Sequence, residues 1–99
     1  MNEQEKEVLN ITIEECSELT MAITKIFRFG WDSTNPENGI KNCDQFVEEL
    51  AQVRAMADLI YVNMTDANKE LFNSNYMEKF NRLKKWSSIE HNYIDEVLK

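Results

Sequence analysis

Apolar positions in the first third of the chain fall at Val8, Ile11, Leu19, Ala22, Ile23 and Ile26, with Thr12 among them. That spacing follows one face of a helix at roughly 3.6 residues per turn. The pattern predicts a first helix from about Glu3 to Phe29, with glutamates in its first turn and Gly30 ending it. The stretch from Trp31 to Asn42 holds the only proline, Pro36, and the second of two glycines, Gly39, and reads as a long loop. Asn42 followed by Gln45 resembles a capping box, so a second helix is expected from there to about Met64. Its apolar face is Phe46, Leu50, Val53, Met56, Ala57 and Ile60. A third helix should begin near Thr65 or Asp66 and carry Phe72, Tyr76, Phe80, Leu83 and Trp86. Asn73-Ser74-Asn75 marks a place where it could break, because these residues favour caps over helix interiors. A short amphipathic tail follows Ser87-Ser88.

These elements predict an all-α fold, a single domain over residues 1–99 with three main helices and a short C-terminal helix. Three helices and a tail leave apolar surface to cover. An oligomer is therefore expected rather than a monomer.

Two apolar faces are interrupted by carboxylates. Glu15 falls inside the first stripe, with Glu18 three residues later at its edge. Glu49 falls inside the second, with Gln52 three residues later at the margin. A carboxylate facing a core is costly unless it is paired or bound to a cation. Residues three apart share a helix face, so Glu15 and Glu18 can reach one ion from one helix while Glu49 approaches from a neighbour. An oxygen-only donor set suits Mg²⁺, or Mn²⁺, better than zinc. Glu14 is either close to this set or solvated; Glu48 reads as surface, and Asp58 as an ion-pair partner of Arg54.

Composition narrows the chemistry. The formal charge of −7 argues against duplex nucleic acid as a partner, since such binders are usually basic. It leaves nucleotides open, held through cations that acidic residues attract. No apolar run nears the roughly 20 residues that span a bilayer, and the N-terminus lacks the basic-then-apolar order of a signal peptide. Cys16 and Cys43 have no zinc or redox spacing and are expected as buried, reduced packing residues of a cytoplasmic protein. The single histidine, His91, has no Glu-x-x-His partner, which argues against a di-iron bundle.

Cations that would hold phosphates lie at Lys25 and Arg28 on the first helix and at Lys79 and Arg82 on the third. The same residues also suit plain solubilisation, or the negative end of a helix dipole. Trp31, just past Gly30, is placed either to stack on a base or to fold back onto the core.

Glu14-Glu15-Cys16-Ser17-Glu18 resembles the EExxE motif of the MazG-like, all-α nucleoside triphosphate pyrophosphohydrolases. Lys25 to Gly30, the Asn35-Pro36-Glu37-Asn38 loop, and Glu48-Glu49-Leu50-Ala51-Gln52 at the place of the family's ExxD motif are similar to small stand-alone, phage-type members. The likeness covers residues 8 to 64 and extends loosely to Lys79 through Trp86. It implies Mg²⁺-dependent conversion of a (d)NTP to monophosphate and pyrophosphate by a homodimer or homotetramer whose helices complete four-helix-bundle cores. It also implies Glu15, Glu18, Glu49 and the Gln52 position as metal ligands, with Glu14 close by. Lys79 and Arg82 would lie against phosphate oxygens, and Lys25, Arg28 and Trp31 are candidate nucleotide contacts. The family's aspartate is glutamine here, so one ligand is neutral. A helical nucleotide-binding or regulatory protein on the same scaffold is the alternative expectation.

Overall fold

The computed structural model describes all 99 residues and contains only helices and loops. Helix α1 spans Glu3–Phe29, α2 Asn42–Val62, α3 Asp66–Trp86 and α4 His91–Asp95, with a final 3₁₀ turn at Glu96–Leu98. The chain divides into two compact units, Met1–Asn63 and Met64–Lys99. No helix is long and apolar enough to cross a membrane.

The first unit is an antiparallel hairpin of α1 and α2. Helix α1 starts on Asn2, whose side chain accepts from the Glu5 amide while its own Nδ2 donates to Glu5 Oε1, a reciprocal cap. It stops at Gly30, where φ of +105° lies in the region that glycine tolerates without strain. Two backbone bonds then tie the loop to the next helix: Asn42 N–H donates to Ser33 carbonyl and Cys43 N–H to Trp31 carbonyl. The capping box expected at the start of α2 does not form. Asn42 is buried and its Nδ2 donates to the Gly30 carbonyl, so it joins the two helix ends; Lys41 takes the cap position without a side-chain bond.

The half-buried residues of α1 are those of the expected stripe, with Ile23 at its rim and Lys25 added. On α2 the stripe is right except for Leu50, which is 47% exposed. Cys16 is also exposed, not packed; it is one residue from Glu15 and so turned about 100° away from the face that meets α2. Cys43 is half-buried, and both thiols are free.

In the second unit Thr65 caps α3 by accepting from the Asn68 amide. The helix runs unbroken through Asn73-Ser74-Asn75; Asn75 bonds back to the Leu71 carbonyl instead of ending the helix. Phe72, Tyr76 and Phe80 form a ladder of rings with centroids 6.5 and 5.0 Å apart. Helix α4 packs back on α3 through buried Ile94, and Lys84 bonds Asp95 across the turn. Of the apolar face expected on α3, only Phe80 and Leu83 are half-buried; Phe72, Tyr76 and Trp86 remain exposed.

Candidate metal centre

The hairpin register decides which carboxylates meet. Because α1 and α2 run antiparallel, a step toward the N-terminus of α1 is matched by a step toward the C-terminus of α2, and side-chain contacts fix the register. Glu18 is thereby set opposite Glu49, and Glu15 opposite Gln52. One carboxylate oxygen from each of Glu15, Glu18 and Glu49 lies within 4.8 Å of the other two. Glu49 is only 6% exposed, Glu15 is half-buried and Glu18 is open to solvent, so the cluster has a buried base and an accessible mouth.

Gln52 reaches the same point. With its amide nitrogen turned inward it donates to Glu15 Oε2 at 2.7 Å and to Glu49 Oε2 at 3.2 Å. Turned half a revolution about its terminal bond, the same amide places its oxygen there as a neutral donor to a cation. Gln45, one turn before Glu49, donates to Glu49 Oε1 at 2.6 Å. Gln45 has the sequence spacing of a cap residue, and its position four residues before Glu49 is equally the spacing that brings helical side chains together.

Burial pushes the Glu49 carboxyl above its ordinary value of 4.5. A hydrogen bond shared with Glu18, the Glu18 charge and, more weakly, the Glu15 charge push the same way, while Gln45 pulls against them. The cause is physical crowding: three acids converge where one is nearly buried, which favours its protonated form, and a cation would offset the same repulsion. That arrangement fits a hard divalent ion, since all the charged donors are carboxylate oxygens.

The remaining expected residues are distributed over both units. Glu14 is exposed beside Glu15. Lys25 is half-buried and takes part in none of the chain's ion pairs. Arg28 lies with its guanidinium carbon 5.0 Å from the centroid of the Phe29 ring. Trp31 folds back onto Phe46, with ring centroids 5.8 Å apart, and stays half exposed. Lys79 and Arg82 belong to the second unit; both are exposed, and Arg82 pairs with Glu78 one turn away at 3.8 Å. Arg54 and Asp58 form the expected surface pair at 3.9 Å.

The loop adds a feature that periodicity does not show. The end of α1, residues 33 to 37 and Asn42 line a half-open cleft of about 510 Å³, with Lys25, Phe29, Ser33, Asn35 and Glu37 on its walls. Compared with known proteins, the chain matches no family model, no curated protein and no solved structure.

Proposed function

We propose that this chain is a Mg²⁺-dependent nucleoside triphosphate pyrophosphohydrolase, with Mn²⁺ able to substitute, as its MazG-like motifs imply. The observation that carries the reading is the convergence of Glu15, Glu18 and Glu49 to within 4.8 Å around a buried base. In the reaction, water adds to the α-phosphorus, the bond from that phosphorus to the α,β-bridging oxygen breaks, and pyrophosphate leaves with that oxygen.

Glu15, Glu18 and Glu49 would hold the cation, and Gln52 would turn its amide oxygen toward it. A divalent ion bound there supplies charge to offset the triphosphate and acidifies coordinated water. Glu49 must lose its proton to serve as a ligand, and its crowded position makes it the residue whose charge most needs the ion. Gln45 holds the Glu49 carboxylate in place by its hydrogen bond. Exposed Glu18 leaves one side of the cluster open to a substrate. Lys25, half-buried on the same side of α1, is the nearest unpaired cation in sequence for phosphate oxygens. A role for Glu14, Lys79 and Arg82 rests on the resemblance alone.

The same reading holds the protein to be a homo-oligomer, a dimer or a tetramer. The chain exposes 7992 Å². A folded monomer of 11.7 kDa exposes about 5,900 Å², and two separate globules of the sizes of its two units would expose about 7,000 Å². The surplus of roughly 1,000 Å² or more per chain is the area that a stable dimer covers on each partner. On α1 the exposed line Ile13, Ser17, Thr20, Thr24 and Phe27 suits helix contact. All three hydroxyls bond to carbonyls of their own helix, so covering them leaves no donor unsatisfied.

The alternative is a nucleotide-binding or regulatory protein without turnover. Gln52 favours it, because its amide nitrogen can satisfy Glu15 and Glu49 without an ion. Pyrophosphate and monophosphate release, measured over a panel of ribo- and deoxynucleoside triphosphates with Mg²⁺ or Mn²⁺, tests the proposal. Both products should appear in equal amounts and vanish with a chelator. Release from no nucleotide under any metal refutes it.

A further inference from the structure

We infer that α2 carries a second packing seam, turned away from α1, and that this seam pairs antiparallel with the same seam of a second copy of the chain. The inference rests on the homo-oligomer reading above and names the face that joins the copies. It does not depend on the nucleotide chemistry.

The seam starts from one anomaly on the hairpin. Leu50 belongs by periodicity to the apolar face of α2, yet it is 47% exposed. Cys43, Val47, Leu50, Arg54, Ala57 and Tyr61 are spaced four, three, four, three and four residues apart. That alternation is the 3.5-residue repeat of a helix-pairing seam. Each of the six directly follows a buried or half-buried residue of the inner stripe, as Val47 follows Phe46 and Leu50 follows Glu49. One residue turns a helix by about 100°, so the seam lies roughly a right angle away from the face that meets α1. A helix with two such faces has neighbours on two adjacent sides, as at the corner of a bundle. Helix α1 supplies one neighbour. On the other side Val47, at 58%, and Leu50 stay uncovered, while Cys43, Ala57 and Tyr61 are half-buried.

A second copy fits this face in size, charge and area. Antiparallel pairing centred between Leu50 and Arg54 sets Val47 against the partner's Ala57, Cys43 against the partner's Tyr61, and Leu50 against the partner's Arg54. Small residues thus meet larger ones in the outer layers. In the central layers the aliphatic stem of Arg54 covers Leu50 of the partner subunit, and its guanidinium stays at the rim beside Asp58, 3.9 Å away. Parallel pairing would instead set Arg54 against Arg54 and Tyr61 against Tyr61, with like charges in one layer. The antiparallel pair is isologous, so one seam serves both copies. The chain's surplus of exposed area, roughly 1,000 Å² or more, accommodates an interface of this kind. The seam is also separate from the exposed α1 line through Ile13 and Phe27, so variants tell the two surfaces apart.

The test uses the full chain with its exposed thiol removed by Cys16→Ser. In that background Tyr61→Cys should give a covalent dimer under mild oxidation, through a bond from Cys43 of one copy to the new thiol of the other. Within one chain the two positions lie about 27 Å apart along α2, too far for a bridge. Leu59→Cys, 44% exposed on the far side of the helix, should not cross-link. Val47→Glu should weaken self-association in sedimentation by at least about tenfold, with helicity by circular dichroism unchanged. Cross-linking of the Cys16→Ser chain alone, through Cys43, marks parallel pairing and overturns the antiparallel seam. Equal cross-linking from Tyr61→Cys and Leu59→Cys, or from neither, overturns it too, as does a Val47→Glu chain that associates like the native one. An oligomer seen in those cases rests on other contacts, and the homo-oligomer reading stands. A native chain that sediments as a monomer overturns both readings, and the face then belongs to another part of the chain or to a different protein.

Discussion

Replacing Glu49 by glutamine removes a charge from the base of the acid cluster while keeping the side chain's length and its acceptor for Gln45. Wherever metal-free Glu49 is charged, it faces Glu15 and Glu18 at up to 4.8 Å. Coulomb repulsion at that distance costs about 1 kcal/mol per pair in a water-like medium and about 3.5 kcal/mol near a protein surface. Glu18 is solvated, which pulls its share toward the lower figure. Metal-free Glu49→Gln should therefore be more stable than the native chain by about 1 to 3 kcal/mol. At fixed protein concentration that raises the melting midpoint by about 4–8 °C per kcal/mol for a domain of this size.

The pH dependence carries the sign. The folded pKa of Glu49 lies above the ordinary 4.5, so between the two values the folded chain holds a proton that the unfolded chain has lost. The native protein's stability is then fully supported below 4.5 and falls as pH rises through the folded value, and the variant lacks that fall. Millimolar Mg²⁺ should raise the native midpoint at pH 8 and leave the variant's nearly unchanged. Thermal melts by circular dichroism from pH 4.5 to 8, with EDTA or Mg²⁺, read both effects. A variant less stable than the native chain at pH 8 in EDTA, or an equal Mg²⁺ response in both, would refute the crowded-acid account.

Gln52→Asp replaces a donor to two carboxylates with a fourth acid. It should lower metal-free stability by about 1–2 kcal/mol and tighten Mg²⁺ binding by about tenfold or more, read by melts and calorimetry. Turnover created by that change in a chain otherwise inactive identifies the native protein as a binder, whereas adjusted turnover identifies an enzyme. Phe27, 87% exposed on the line Ile13 to Thr24, should be needed for self-association; Phe27→Lys should shift sedimentation toward the monomer without loss of helicity. Thr65→Ala removes the cap of α3 and should cost about 1 kcal/mol, seen as faster amide exchange in the first turn of that helix.

Much of the fold was legible because helix signals are local. The limits of α1 follow from a glutamate-rich first turn and from Gly30, residues that act on their own neighbours. The three acids were legible for the same reason: Glu15 and Glu49 stand where periodicity asks for leucine. Other features depended on contacts that no local pattern encodes. Asn42 and Gln45 have the spacing of a cap, yet one joins two helix ends and the other supports Glu49. Asn73-Ser74-Asn75 looks like a break, but bonding back to the preceding turn keeps α3 whole.

The sequence by itself determined that this chain is helical, where its helices stop, and that carboxylates interrupt two of their apolar faces. Those properties follow from the 3.6-residue repeat and from residue chemistry. Only the tertiary structure decided the register of α1 against α2, and with it that Glu18 meets Glu49 and Glu15 meets Gln52. It alone also formed the cleft, because Phe29 and Glu37 lie on different elements and share a wall only once the loop closes. Neither α1 nor α2 alone brings the three acids together; the pairing does, burying Glu49 and pressing its proton to stay.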